Sequence, residues 1–479
     1  MNKTILLLLS LLIFVSLQAK KVDISKAKVV AKNYYCSKVV KNLDKASARL
    51  AYIEEVTLSG EKAATPCFYV FNIGEGFVIV SADDRATPIL AYSTESIFDA
   101  QNIPENVRFF LDGYKQEISS IIAMDDIEAN PGWEKLSNGG LLFNKDATVV
   151  VGPLLRTKWH QERYYNSQCP VDTAGPAGHA YVGCGAIVMG QLMRYWKYPV
   201  HGTGSHSYNC NNASHGNGYG DYGRLSANFA NATYYYDSMP VELTSTSTPT
   251  QINAVATLLS HCGIAVNMNY GSRGSSVSPT NIVSGIKNYF GYPSTVRYIT
   301  RSNVGESAWL STIKAELDSF APFFYGGQST TYGGHVWVCD GYRDDNFFHM
   351  NWGWGGLYDG YFNLGSLSRY AFNYNQAAIV GLRGPHLPEP EPDVSCLEVD
   401  NQQVKIYPNP SSNGRLVVEL YGTEEYSVKV FDIGGKEIFN NTNSSHTTVV
   451  DLSDRPSGVY IVRVYSKDKA VVTKRIIKK

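Results

Sequence analysis

Apolar positions recur at helical spacing in some stretches of the chain and alternate with polar ones in others. From Cys184 the chain carries no charged side chain until Arg194. Within that run Ile187, Leu192 and Met193 recur near a 3.6-residue period and Pro199 closes the segment, so a mostly buried helix is predicted from about Cys184 to Lys197. Val22 to Tyr52 is predicted helical and amphipathic, with Ala27, Val30, Ala31, Val39 and Leu43 among its apolar positions, and Val107 to Ala123 returns to the same spacing. Ile252 to Cys262 reads as another apolar helix, stopped by Gly263 just past its end. Strands are expected where the period falls to two. Phe68–Asn72 and Gly76–Ser81 form a predicted hairpin turning near Gly74, and Val336–Val338, Phe347–Met350 and Tyr361–Leu364 are joined by Gly-rich turns. Beyond residue 403, Val428–Phe431, Val449–Leu452, Tyr460–Val464 and Val471–Ile476 alternate between turn signals at Gly434-Gly435 and Pro456-Ser457-Gly458. The fold class that follows is α+β: a large central block, a small α+β unit before it, and a small antiparallel β-sandwich after it.

Breaks in the pattern set the boundaries. Residues 1–19 carry a Lys, a Leu-rich stretch and a terminal small residue, the signature of a signal peptide. The apolar run is shorter than the roughly 20 residues a membrane span needs, so no transmembrane anchor is expected. Residues 20–147 hold the first α+β unit and a linker over 125–146, rich in Gly and polar residues and suited to proteolytic nicking. The block 148–384 follows, with His201–Tyr222 expected as long surface loops. His201, His206 and His215 match no compact zinc spacing. Residues 385–402 are a Pro/Glu-rich linker and 403–479 the β-sandwich. Composition changes this picture little. With 479 residues, net charge −1, 18% charged residues, 42 Gly and 33 Tyr, the chain suits a loop-rich exported protein and gives no sign of nucleic acid as a partner. Its eight cysteines are scattered, and no bridge is assigned.

One cysteine has the setting for chemistry. Cys184 lies at the start of its predicted helix, where unpaired N–H groups and the helix dipole favour a thiolate; Cys262, at a predicted helix end, has the opposite setting. His335, preceded by Gly333-Gly334, follows Cys184 at the long separation seen when a thiol nucleophile precedes its base, and imidazole can both hold the thiolate and protonate a leaving amine. Asn351 offers an amide oxygen to orient His335, and Trp352 can shield that bond from water. Gln161 offers a side-chain N–H to an oxyanion beside the backbone N–H of Cys184. No metal or cofactor is required.

Trp159-His160-Gln161, Gly183-Cys184, Gln191-Leu192-Met193-Arg194-Tyr195-Trp196, Gly334-His335 and Asn351-Trp352-Gly353-Trp354-Gly355-Gly356 resemble the streptopain family of papain-fold cysteine peptidases. The resemblance implies Cys184 as nucleophile, His335 as general base and acid, Gln161 as oxyanion donor, and Asn351 with Trp352 as the orienting pair. It also implies that Ser276 and Gly334 line the substrate cleft, and that an apolar side chain is favoured two residues before the cut bond. Gly76 to Asp84 resembles that family's inhibitory propeptide, which implies an intramolecular inhibitor. Ile406-Tyr407-Pro408-Asn409-Pro410 with Gly458-Val459-Tyr460 resembles the type IX secretion sorting domain, which implies the secretion machinery as a partner and passage across a bacterial outer membrane. The expected product is a secreted or cell-surface endopeptidase acting on proteins or peptides and made as a zymogen. Acyl transfer to an amine by the same thiol, or a surface-binding protein with a decayed site, are the alternatives. Where the family usually has Val after the nucleophile, this chain has Gly185. A glycine in the first helical turn costs about 1 kcal/mol relative to Ala and is expected to loosen the oxyanion geometry.

Overall fold

The computed structural model describes residues 21–38, 47–138, 149–385 and 404–478, apart from short breaks at 59, 61, 125–126, 217, 330–332, 344, 366–374, 410, 412, 421–425, 433–436, 445–446 and 467–468. The leader predicted over 1–19 and the Pro/Glu linker lie outside these residues. The chain divides into two units, Met1–Pro385 and His386–Lys479.

Helix α1 (Ile24–Lys38) buries Ala27, Val30, Ala31, Tyr34 and Tyr35, spaced as one helical face. The predicted helix therefore ends early. Tyr52 and its neighbours instead form strand β1 (Arg49–Val56), pairing with β2 (Thr65–Ile73) through Tyr52↔Val70 and Ile53↔Tyr69. A neighbouring strand decided the outcome over local spacing. Strands β2 and β3 (Gly76–Ser81) make the predicted hairpin, and β4 (Ile89–Ser93), α2 (Glu105–Ile122) and α3 (Gly132–Ser137) follow. Helix α3 falls inside the predicted linker. Its Trp133 and Leu136 are buried, the Trp133 indole N–H donates to the Ala86 carbonyl at 3.0 Å, and Asn33 Nδ2 donates to the Leu136 carbonyl at 2.6 Å. The rest of the predicted linker, residues 139–146, lies outside the described residues.

The catalytic block runs β5 (Val149–Val151), α4 (Cys184–Trp196), β6 (Ser205–Asn211), β7 (Asp221–Asn228), α5 (Pro249–Ala265), α6 (Pro279–Phe290), β8 (Arg297–Thr300), α7 (Arg301–Val304), α8 (Glu306–Asp318), β9 (Phe323–Ser329), β10 (Gly333–Arg343), β11 (Phe347–Asn351), β12 (Gly360–Asn363) and β13 (Gln376–Val380). The stretch expected as loops is mostly the β6–β7 hairpin. Helix α5 starts with Pro249 behind a Thr248–Gln251 capping box and continues through Gly263. A Cβ at Gly263 would overlap the Tyr270 hydroxyl, so this glycine permits a close approach and does not stop the helix.

One sheet crosses the whole first unit in the order β1-β2-β3-β4-β12-β11-β10-β9-β13-β8, with β5 also on β10. The junction is β4 against β12, through Tyr361↔Tyr92 and Phe362↔Ala91. Apolar clusters span the junction. Phe110 of α2 lies 6.0, 5.7 and 5.4 Å, ring centre to ring centre, from Trp337, Trp352 and Phe362. The N-terminal unit is therefore built into the catalytic block.

The second unit holds β14 (Val404–Tyr407), β15 (Arg415–Leu420), β16 (Tyr426–Asp432), β17 (Glu437–Ser444), β18 (Thr447–Asp451), β19 (Gly458–Ser466) and β20 (Lys469–Lys478). A three-stranded sheet, β14-β15-β18, and a four-stranded one, β17-β16-β19-β20, contribute Val418, Val450, Val428, Val430, Val462 and Val464 to one core, the expected sandwich. Among the described residues no helix is long and apolar enough to cross a membrane.

Candidate active site

Gly183 precedes α4 with φ 89°, and a Cβ there would meet Met268 Sδ at 2.8 Å; the turn that delivers Cys184 to the helix start needs a glycine. His335 comes from the other side, on β10, paired across from Gly327 of β9. Cys184, Ser276, Gly334 and His335 all line one cavity of about 170 Å³, floored by Val277, Phe324 and Ile379. Four of the seven anticipated residues thus meet in one place.

The other three stand around it. Gln161 is buried and does not line this cavity, but its carbonyl accepts the Val182 N–H at 3.1 Å, which ties its segment to the residues just before Cys184. Trp352 is buried 4.7 Å from Trp337, its backbone N–H donating to Asp359 Oδ1 at 2.9 Å and its indole N–H to the Tyr358 carbonyl at 3.0 Å. Burial pushes the Asp359 carboxyl up to about 8. Asn351 differs from expectation. Its Nδ2 donates to the Thr157 carbonyl at 2.7 Å, and its Oδ1 accepts from Gln191 Nε2 and from the Gly353 N–H, both at 3.2 Å. The amide expected to orient His335 is committed to these partners, and no hydrogen bond joins it to the imidazole in this form.

What faces His335 is Glu105, the first residue of α2, with Oε2 3.5 Å from Nε2. The neighbouring Asn106 donates from Nδ2 to the Trp352 carbonyl at 3.0 Å and accepts the Trp354 indole N–H at 2.9 Å. The thiolate expected at Cys184 is not favoured here. Burial pushes the thiol up, backbone N–H groups pull it down, and the Glu105 carboxylate adds to the upward push. Nothing in the sequence near Glu105 and Asn106 points to a site 230 residues away; only the fold brings them there.

Gly185 also corrects an expectation. A Cβ at this position would lie 2.5 Å from Val277 Cγ1 and 3.3 Å from Ile282 Cδ1, so those side chains fill the space a larger residue takes elsewhere. The glycine is packed, not loose. Nearby, buried His349 is held between Asp340 Oδ1 (2.6 Å from Nδ1) and Glu95 Oε1 of the N-terminal unit (2.9 Å from Nε2). Burial opposes its charge, but the two carboxylates hold its pKa well above the usual imidazole value. The seven described cysteines are free thiols.

Comparison with known proteins places these features together. Residues 159–362 match the peptidase C10 family, 19–118 the Spi protease inhibitor family, and 405–479 the secretion system C-terminal sorting domain. The chain is 33% identical to streptopain of Streptococcus pyogenes over 363 residues, 71% of this chain and 87% of streptopain. It is 31% identical over 400 residues to the thiol protease/hemagglutinin PrtT of Porphyromonas gingivalis, covering 78% of this chain and 43% of PrtT, so it spans less than half the length of that relative. Among solved structures, a fragment of prointerpain A from Prevotella intermedia superposes with a TM-score of 0.55 at 29% identity, covering 71% of this chain and all of the fragment. The chain belongs to the peptidase C10 family, the cysteine peptidases of which streptopain is a member, and carries a Spi-type inhibitor unit before the catalytic block and a secretion sorting domain after it.

Proposed function

We propose that the chain is a secreted cysteine endopeptidase held latent by its own N-terminal unit. Cys184 attacks a peptide carbonyl as the thiolate; Gln161 Nε2 and the Cys184 N–H hold the oxyanion; His335 protonates the departing amine and then activates water to release the acyl-enzyme. Ser276 and Gly334 line the cleft that receives the substrate backbone, and the apolar floor of Val277, Phe324 and Ile379 takes an apolar side chain. Trp352 keeps water from the imidazole's surroundings, and Asn351 acts on His335 only through the strand it anchors.

Latency comes from Glu105, which draws the His335 imidazole toward itself and opposes ionisation of Cys184, and from Asn106, which clamps the Trp352–Trp354 segment. Cleavage around 139–148 starts maturation. The leader at 1–19 carries the chain out of the cytoplasm, and the sorting domain takes it across the outer membrane to the cell surface and is then removed. The observation that carries this reading is that Cys184 and His335 line one cavity while Glu105, the first residue of α2 in the inhibitor unit, lies 3.5 Å from the His335 imidazole. The test is to follow the chain from Lys20 onward beside its Cys184→Ala twin. The native protein shortens near residues 139–148 and then cleaves casein under reducing conditions, while the twin does neither. A native form cut in the linker and freed of its inhibitor unit that still hydrolyses nothing refutes the proposal.

A further inference from the structure

Gln191 lies two turns along α4 from Cys184, about 10 Å at 1.5 Å per residue. Its side chain is wholly buried, on a helix whose buried residues include Ile187, Val188 and Leu192, and an apolar residue is the ordinary occupant of such a position. A buried amide is tolerated only when its donors and acceptors are matched, and this one closes a ring. Thr157 Oγ1 donates to Gln191 Oε1 at 2.6 Å, Gln191 Nε2 donates to Asn351 Oδ1 at 3.2 Å, and Asn351 Nδ2 returns to the Thr157 carbonyl at 2.7 Å. Thr157 and Asn351 are themselves buried, so water does not compete for these bonds.

Two members come from segments that carry the proposed chemistry, and the third from β11, the strand hydrogen-bonded to the one that carries His335. Gln191 belongs to the helix that begins with Cys184. Thr157 stands four residues before Gln161. Asn351 pairs with Val338 on β10, the strand that carries His335. Apolar packing between helix and sheet allows small slides; a ring of directional hydrogen bonds in a dry seam selects one setting. We infer that Gln191 is a positioning residue that fixes the Cys184 helix against the His335 strand and the Gln161 segment. The inference rests on the endopeptidase reading above. It also accounts for Asn351, whose amide serves this ring and not the imidazole.

The full-length precursor, its Gln191→Met and Gln191→Glu variants and a Thr157→Val variant are matured by added protease and assayed on a peptide substrate across pH, with near-UV circular dichroism recorded at each point. Methionine keeps length and burial but cannot bond, and a reacting group misplaced by the order of 1 Å can lose up to about a hundredfold in rate. Gln191→Met is therefore expected to lower kcat about ten- to hundredfold with KM changed less than about threefold, and Thr157→Val to act in the same direction more weakly. Gln191→Glu supplies the sharper readout. Its protonated carboxyl reproduces the glutamine pattern, accepting from Thr157 and donating to Asn351; its ionised form cannot donate. Its kcat relative to the native enzyme should fall as pH rises, with the fold unchanged, while the same ratio for Gln191→Met stays flat. Native kcat in Gln191→Met, or a kcat ratio for Gln191→Glu that stays flat across the pH range in which infrared absorption shows its carboxyl ionising, overturns the inference and leaves the endopeptidase reading intact. A matured native enzyme without peptidase activity removes both. If Gln191→Met does not fold, the pH course of Gln191→Glu decides alone.

Discussion

Asn106→Ala is the perturbation that most directly separates a clamp from a mere neighbour. The side chain is 2% exposed and joins α2 to the catalytic block through two hydrogen bonds, to the Trp352 carbonyl and from the Trp354 indole. Each such bond contributes about 1 kcal/mol net, and a buried carbonyl left without a donor adds its own desolvation cost, for a total of about 2–3 kcal/mol. At 1.4 kcal/mol per tenfold, binding of the inhibitor unit should weaken about 30- to 150-fold. The assay uses Cys184→Ala protein, which cannot consume itself, nicked between residues 139 and 148. The dissociation constant of the two pieces is then measured by titration with a fluorescent label on each. The aromatic contacts of Phe110 remain, so the complex still forms. A change of less than threefold would show that Asn106 sits at the interface without holding it, and the latch would have to be sought in the apolar core alone.

Further outcomes follow from the same geometry. In the precursor, alkylation of Cys184 by iodoacetamide should require a higher pH than in the matured enzyme, because the Glu105 carboxylate that opposes the thiolate departs with the inhibitor unit; identical pH profiles would refute this. Glu95 is pushed up by burial, but the His349 hydrogen bond and charge bring it below its ordinary value of 4.5. Its contribution to docking of the inhibitor unit is therefore complete above that value and lost as pH falls through the lowered one, so the nicked complex should loosen below about pH 4.5 in the native protein, and Glu95→Gln should remove that part of the pH dependence. Gly185→Val should push Val277 toward the cleft, destabilise the protein by about 1–3 kcal/mol and raise KM, read by thermal melting and kinetics.

The helix that opens at Cys184 was legible because an apolar run free of charge as far as Arg194 and closed by Pro199 has few other readings. The pairing of His335 with Cys184 was expected from a glycine pair and a long separation, and the two residues line one cavity. What escaped was decided by contacts distant in the chain. Residues 49–56 became a strand because β2 lay beside them, and α3 formed where Trp133 found a place beneath Ala86. Gly263 and Gly185 were read by local propensity, whereas Tyr270 and Val277 determine what fits there. Asn351 was assigned to the nearest plausible partner in the reaction, but its amide had closer partners in Thr157 and Gln191.

The junction of β4 with β12 carries a cost that falls due at maturation. While the inhibitor unit is present, β12 is an interior strand and Tyr361 lies stacked on Tyr92 at 5.3 Å. Once that unit is gone, Gly360–Asn363 becomes a bare margin, with backbone N–H and C=O groups facing outward and aromatic rings newly wetted. Such margins recruit strands from other molecules, and colloidal stability suffers first where protein is most crowded. A margin only four residues long offers a stranger little to zip onto. Activation after export, in a dilute exterior, would keep the sticky form of this protein apart from others like it.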